Sequence, residues 1–537
     1  MLANCVDFIY FKFTLKRTTA NVLNFFNGTM GNDLSTLLPT FFRDYWYLII
    51  IWLILVWIIY FFYQKIEKKR IFIPWNHLKY WRERIVFLLA IGVAIVLYRG
   101  GFQLKPISTI DAGKYTNVKY IPLIISTPFS IIKTIDVPAI DPTIYYTDNE
   151  KLKQLYNPRH SPSKGSFNKM NVFIIILESF SKEYIGALNN KPSGYTPFLD
   201  SLITESLTFT NAYSNNKSSI EGVPAVVAGM PTWMSEPYIT SIYGSNQINS
   251  LANLLKTEGY YTAFFHGGTN GTMGFEAFSN LVGYDDYFGR KEYNNEQDYD
   301  GNWGIWDEEF LNYAAKKLDK QPKPFFASLF TLSSHHPYPI PERYKNLFKE
   351  GTLPIHKSVR YTDFALRRFF ETVKNTTWYQ NTLFVLVADH TSISDDAFYT
   401  NRIGNSAIPI IYFTGNHQLK GLNNTVTQQI DIMPSILDYL HYPKPYFSFG
   451  VSVFDSTASH FAFTYHNEEY QLIANQFTLG FDGKKITDLY NYTKDSLLHN
   501  DLKEKDSVIA KEMGAKTKAL IQTYQQTLIH NKGRYED

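Results

Sequence analysis

At 537 residues and 62.2 kDa the chain can bury a large core and hold more than one domain. Its 52 Lys and Arg against 49 Asp and Glu leave a net charge of +3, and 45% hydrophobic with 19% charged residues excludes both a disordered chain and a polycation made to coat nucleic acid. One cysteine, Cys5, excludes a disulfide framework and a cysteine-rich zinc site, whereas 17% aromatic residues suits a chain that lies in part at a lipid boundary.

The first 44 residues show no cleavable leader, because Lys12, Lys16 and Arg17 break up the aromatic run around DFIYFKF and no small-residue cleavage site follows. They read as the end of a membrane domain whose earlier helices are not in this chain. From Tyr45 to Tyr63 the sequence YWYLIIIWLILVWIIYFFY is free of charge. That is about 19 residues, enough to cross a hydrocarbon core of about 30 Å as a helix. A second run, Ile85 to Tyr98, is shorter, but Trp81 and Phe102 can extend it, and it is predicted to cross as well. The loop between them holds Lys65, Lys68, Lys69, Arg70, Lys79, Arg82 and Arg84 against Glu67 and Glu83. Such a loop is cytoplasmic by the positive-inside rule. With two crossings, everything after Arg99 stands on the outer face of the cytoplasmic membrane, in a multi-pass protein. Residues 99–170, ending in the polar run NPRHSPSKGSFNK, read as a juxtamembrane connector.

At Asn171 the pattern changes. NVFIIILE is a continuous β-branched and aromatic run, the mark of a strand buried on both faces of a parallel sheet. SLTFTNAYS, YTAFFHGG, FFASLFTLSS, NTLFVLVADH and AIPIIYFTG follow at wide intervals with helical stretches between them, which predicts a doubly wound α/β domain over residues 171–480. The tail, 481–537, carries one amphipathic helix, SVIAKEMGAKTKALIQTYQQTL.

In such sheets the ligand crevice lies outside the carboxyl ends of the strands. Several strands here end in residues that suit a metal: Glu178 in LESF, and Asp389 with His390 in VADHT. FFHGG supplies His266, and SSHHPY supplies His335 and His336. Carboxylates with imidazoles suit a hard or borderline divalent cation such as Mn²⁺, Mg²⁺ or Zn²⁺. A metal site of this kind needs a group to activate, and the loop AYSNNKSSIEGVP offers Ser218 and Ser219 ahead of a small-residue helix. On local sequence the pair serves equally well as a helix N-cap.

The ordered set LESF, NKSS, FHGG, SSHHPY and VADHT resembles the alkaline phosphatase and sulfatase superfamily, and within it the lipoteichoic acid synthase branch of membrane-anchored phosphoglycerol transferases. The resemblance extends from the anchor to the QQIDIMPSILDYL segment. It implies one divalent ion, Mn²⁺ by preference, held by Glu178, Ser218, Asp389 and His390, with Ser218 where the family has its nucleophilic Thr, and Ser219 as the alternative register. His335 and His266 match the substrate-binding histidines. The implied reaction moves a phospholipid head group through a phosphoryl-serine intermediate to a glycan, lipid or polymer acceptor.

Two departures bear on the substrate and the ion count. The family's FWNR-like run after FHG, with a Trp and an Arg on the head group, is replaced here by GTNGTMGFEAF, which leaves a phosphoethanolamine transferase or a metal-dependent phosphodiesterase as alternatives. A single carboxylate after the first strand favours one ion over two. A formylglycine sulfatase needs Pro and Arg two and four places after its Cys or Ser, whereas Ile220 and Gly222 follow Ser218. Neither GxxxxGK[ST] nor a GxGxxG with its ribose acid is present, so nucleotide-binding loops are not expected. A non-catalytic binding protein on this scaffold would require a broken ligand set, and the set is whole.

Overall fold

The computed structural model describes residues 3–5, 7–8, 17–20, 31–68, 77–103, 106–116, 120–135, 137, 139–189 and 194–535. Lys12, Lys16, Lys69 and Arg70, used in the charge argument above, lie outside these. The chain divides into two compact units, Met1–Ala139 and Ile140–Asp537.

In the first unit, helix α1 (Gly31–Glu67) has one non-helical residue, Tyr45, and the stretch Tyr45–Glu67 beyond it is the one helix among the described residues long and apolar enough to cross a membrane. Its Trp57, Phe61 and Phe62 are exposed, as suits a lipid-facing surface. Helix α2 (His77–Arg99) falls short of that standard, because Lys79, Arg82, Glu83 and Arg84 occupy its first turns and confine the apolar part to Ile85–Tyr98.

The second unit is built on an eight-stranded sheet of β1 (Asn171–Leu177), β2 (Leu207–Phe209), β3 (Tyr261–His266), β4 (Asp286–Phe288), β5 (Phe325–Phe330), β6 (Thr382–Ala388), β7 (Ile410–Thr414) and β8 (Gly421–Asn423), in the order β8-β2-β7-β6-β1-β5-β3-β4. All six apolar runs read from the sequence are strands. β1, β5 and β6 are buried along their whole length, which is why they read as near-continuous apolar runs, with Ser328 inside β5. The sheet is mixed, not wholly parallel: β7 runs antiparallel to both β6 and β2. The chain between β6 and β7, residues 389–409, contains no α-helix of the kind that usually carries a parallel crossover, and β7 returns in the opposite sense. The edge strands β4 and β8, three residues each and partly exposed, lack a pattern that would announce them.

Because β1, β3, β5 and β6 are mutually parallel, their carboxyl ends meet on one rim. Beyond them the rim is stitched by backbone bonds around the start of β7: Lys182 N–H to Ala407 O at 3.0 Å, Ser214 N–H to Ser406 O at 2.7 Å and Ile408 N–H to Ala212 O at 3.0 Å.

A four-stranded antiparallel meander, β9 (Ala462–His466), β10 (Glu469–Ala474), β11 (Phe477–Phe481) and β12 (Ile486–Asn491), follows and runs straight across residue 480, where the sequence marks a change to tail composition. Helix α3 (Asn149–Leu155) and residues 140–170, read as connector, pack within this second unit. The backbone N–H groups of Tyr145 and Tyr146 both donate to Gln522 Oε1 at 2.8 Å, on the C-terminal helix Ser507–Ile529 that the amphipathic pattern predicts.

Candidate metal centre and active site

Glu178, Asp389 and His390 come together at the ends of the two central strands, each offering a ligand atom within 4.8 Å of the others. Register makes this unavoidable: Leu177 of β1 pairs with Ala388 of β6, so the residue after each strand lands at the same height. Both carboxylates are buried, Glu178 at 1% and Asp389 at 0% exposure. Ser179, the turn residue, sits at φ 57°, a left-handed conformation that a non-glycine residue adopts only when the surroundings hold it there. Its N–H donates to Asp389 Oδ1 at 2.8 Å and its hydroxyl to Glu178 Oε1 at 2.5 Å, so one strained residue fixes both acids.

Asp389 Oδ1 also accepts from the His390 N–H at 2.7 Å, whereas Asp389 Oδ2 is buried with no hydrogen-bond partner among the described residues. Burial, with the Glu178 carboxylate beside it, pushes the Asp389 carboxyl up to about 7. Two buried acids and an orphaned oxygen are what a bound cation would complete. His390 agrees. Its Nδ1 lies 2.7 Å from the Thr391 carbonyl, which can only accept, so Nδ1 carries the proton and the Nε2 lone pair faces the cluster, 3.3 Å from Asp389 Oδ2 and 3.7 Å from Glu178 Oε1. Burial depresses this imidazole, but the two carboxylates outweigh it and its pKa ends above the ordinary value. The residues therefore fit a divalent ion.

The hydroxyl that reaches this cluster is that of Ser219, not Ser218. Ser219 Oγ donates to Glu178 Oε2 at 3.1 Å and lies 3.4 Å from His390 Nε2. Ser218, expected from the motif to join the ion, is instead the N-cap of helix α4 (Ser219–Ala228), and its hydroxyl donates to Glu221 Oε2 at 2.6 Å. The SxxE spacing of Ser218 and Glu221 is a helix-start signature; here the two side chains bond each other and not the backbone, and Ser219, on the first turn, faces the strand ends. Gly222 lets that turn come close, since a Cβ there would stand 2.7 Å from the Asp389 carbonyl oxygen. Gln429, in the QQIDIMPS segment, ties the two walls. Its amide donates to the carbonyls of Ala388 and Asp389, both at 2.7 Å, and its Oε1 accepts from Asn215 and Asn216 at 2.9 Å. Lys217, next to the serines, has its ammonium pushed down to about 7 by burial and donates to Thr391 Oγ1 at 3.1 Å.

The loop after β5 adjoins the same corner: Thr331 Oγ1 accepts the Glu178 N–H at 3.0 Å, and the Ser334 hydroxyl donates to the Glu178 carbonyl at 2.5 Å. His335 follows, half-exposed, with Nδ1 2.8 Å from the His336 carbonyl. His266, at the end of β3, is 1% exposed, stacks on Phe330 and has Nδ1 3.0 Å from the Tyr287 hydroxyl. Burial lowers its pKa to about 3, which keeps the ring neutral. The structure thus joins Glu178, Asp389, His390 and Ser219 in one cluster, puts His335 on the adjoining loop, and sets His266 two strands from Glu178, beneath an aromatic cover.

The model of the sulfatase family matches residues 170–442, more than half of the chain, and contains every residue of this cluster. The chain belongs to the sulfatase family. Among curated proteins it is similar to the lipoteichoic acid synthase-like YvgJ of Bacillus subtilis, 29% identical over 235 residues that cover 42% of this chain and 37% of that one. It is similar also to lipoteichoic acid synthase 1 of the same organism, 27% identical over 318 residues, covering 54% and 49%. The chain thus matches half or less of the length of these curated relatives. Among solved structures, an alkaline phosphatase superfamily protein from Vibrio parahaemolyticus shares the fold with a TM-score of 0.64 at 24% identity, over 73% of this chain and 98% of that one. The lipoteichoic acid synthase LtaP from Listeria monocytogenes does so with a TM-score of 0.59 at 21% identity, over 71% and 98%. Family, fold and relatives mark this sulfatase-family chain as an enzyme of the alkaline phosphatase and sulfatase superfamily.

Proposed function

We propose that the protein is a membrane-anchored, metal-dependent phosphoglycerol-type transferase with Ser219 as nucleophile. The observation that supports this most strongly is the Ser219 hydroxyl within reach of both Glu178 and His390. In the first half-reaction Ser219 Oγ bonds to the phosphorus of a phospholipid head group, most simply that of phosphatidylglycerol. The bond from phosphorus to the diacylglycerol oxygen breaks, and diacylglycerol leaves with the proton. In the second, a hydroxyl of a glycan, lipid or polymer acceptor attacks the phosphoryl-serine, the bond to Ser219 Oγ breaks, and the acceptor's proton returns to the serine. Glu178, Asp389, His390 and Ser219 would hold the divalent ion, Mn²⁺ by preference. When bound, it supplies Lewis-acid stabilisation of the alkoxide and of charge developing on the phosphoryl oxygens. His335 contacts the phosphoryl or head-group oxygens from the adjoining loop, and His266 backs the far side of the same rim. The helix Tyr45–Glu67 keeps the site near lipid donors, and a second crossing by α2 places the catalytic unit on the extracytoplasmic side.

The replacement of the FWNR-like run by GTNGTMGFEAF supports a second reading in which the head group is ethanolamine phosphate, or water is the acceptor. Full-length protein is incubated with Mn²⁺ and head-group-labelled phosphatidylglycerol or phosphatidylethanolamine, then quenched for mass spectrometry of the peptide around Ser219. Label on Ser219 from the glycerol lipid is the expected result. Label from the ethanolamine lipid alone selects the second reading, and no label from either lipid overturns the transferase.

A further inference from the structure

His335 is an unusual side chain to leave on a loop, because a half-exposed imidazole can turn about two bonds and present either nitrogen. Here it cannot. The Trp303 ring lies against it, centroids 3.9 Å apart, and Trp303 Nε1 donates to the His336 carbonyl at 2.7 Å, the same oxygen that receives His335 Nδ1–H at 2.8 Å. The carbonyl can only accept, so Nδ1 carries the proton and Nε2 is left as the acceptor, while the Trp303 N–H on the same oxygen holds the indole against the imidazole. Trp303 is held in turn by Asp300, whose Oδ1 accepts the backbone N–H groups of Asn302 at 2.8 Å, Trp303 at 2.8 Å and Gly304 at 3.1 Å. That bracket ties the loop ahead of helix α5 (Asp307–Asp319) into a tight turn with the indole projecting from it.

We propose that Trp303, braced by Asp300, is a positioning residue for His335, and that this pair does the ordering which the sequence leaves without an owner once the FWNR-like run is gone. The chain brings an indole to the rim from residue 303, more than thirty positions after the FHGG motif. The assignment rests on the role given to His335 above. Its physical content is separate: Trp303 restricts which nitrogen of His335 meets a ligand and how far the ring can swing.

The test uses full-length protein with Trp303→Leu, which removes both the ring contact and the N–H, Trp303→Phe, which keeps a ring but no N–H, and Asp300→Ser, which loosens the turn without touching the indole. Two readouts are taken on each. The first is the rate at which diethyl pyrocarbonate modifies His335, followed on its peptide by mass spectrometry. Relief of the ring contact is expected to raise that rate several-fold in Trp303→Leu and in Asp300→Ser, with Trp303→Phe close to wild type. The second is head-group release from labelled phosphatidylglycerol with Mn²⁺. A loosened His335 lowers kcat/KM by about tenfold to a hundredfold, as misplacement of about 1 Å does elsewhere, while bound-metal content stays that of wild type because none of these residues is a ligand. Equal modification rates in wild type, Trp303→Leu and Asp300→Ser overturn the proposal, as does unaltered turnover alongside a faster modification rate. Absence of turnover in wild type counts against the transferase reading alone, since the modification rates still decide whether Trp303 holds His335.

Discussion

Exchanging either member of the serine pair at the start of α4 for alanine separates the structural hydroxyl from the reacting one. Ser218→Ala deletes a hydroxyl at the N-cap position that donates to the Glu221 side chain at 2.6 Å and caps no backbone N–H, and loss of such a hydrogen bond costs about 1 kcal/mol, up to about 2. Glu221 is largely buried and its pKa is already raised by that burial, so the cost falls toward the upper end. Ser219→Ala deletes a hydroxyl whose bond to Glu178 is longer, 3.1 Å, and its structural cost is about 1 kcal/mol. Neither change threatens a fold worth about 5–15 kcal/mol. Turnover separates them. Loss of a nucleophile removes on the order of 10⁴ to 10⁶ from kcat, about 5–8 kcal/mol of barrier, whereas loss of a cap should change activity only a few-fold. Labelled head-group release with Mn²⁺, alongside a thermal melt of each variant, measures both quantities. An inactive Ser218→Ala beside an active Ser219→Ala would refute the reasoning from geometry and restore the register read from the motif.

Gly222→Ala forces a Cβ to 2.7 Å from the Asp389 carbonyl oxygen and 3.1 Å from its Cα. The helix start must retreat, at about 1–3 kcal/mol, and a lower melting temperature should accompany weaker Mn²⁺ binding in calorimetry. Asp389→Asn removes the charge but little volume, so metal analysis of the purified variant should find the divalent ion lost while far-UV circular dichroism is unchanged. Asp363, on the helix Ile355–Val373, accepts the N–H groups of Phe198 and Leu199 at 2.9 Å, and burial raises its carboxyl to about 7. A raised carboxyl binds its proton more tightly in the folded state, so this contribution is whole below about pH 4 and lost as pH rises through about 7. Asp363→Asn should therefore melt progressively higher relative to wild type between those limits, and a constant difference across that range would contradict the assignment.

The central sheet was legible because β1, β5 and β6 are buried on both faces and almost wholly apolar, Ser328 being the one polar residue inside a run, until the rim, where Glu178, Asp389 and His390 mark the ends of β1 and β6. The rule that ligands gather at the carboxyl ends of parallel strands therefore pointed to three groups that the structure brings together. What the linear pattern could not supply was the residue at which the helix begins. Ser218 is the extended residue ahead of α4 and Ser219 the first helical one, and that single step decides which hydroxyl faces the strands. The sense of β7 was illegible for a related reason: IPIIYFT reads alike in either direction, and the stretch 389–409 ahead of it is long enough to serve either sense. The meander over residues 462–491 stayed hidden because its strands mix polar and apolar residues and are joined by very short turns. Trp303 lay beyond reach because nothing within its own segment shows that it will meet His335.

The backbone stitching at the start of β7 governs where this protein could acquire a different specificity. Around β7 the crest of the sheet is pinned by main-chain bonds among residues 182, 212–214 and 406–408, and an insertion there would have to break several of them at once. At the opposite flank main-chain bonds also join the segments after β3 and β4, Ile305 N–H to Gly267 O and Arg290 N–H to Gly268 O, both at 3.1 Å, but what they offer to His335 is the Trp303 side chain, which a handful of substitutions can rewrite. Divergence in substrate choice should accumulate on that flank, with the cation-facing half carried along unaltered.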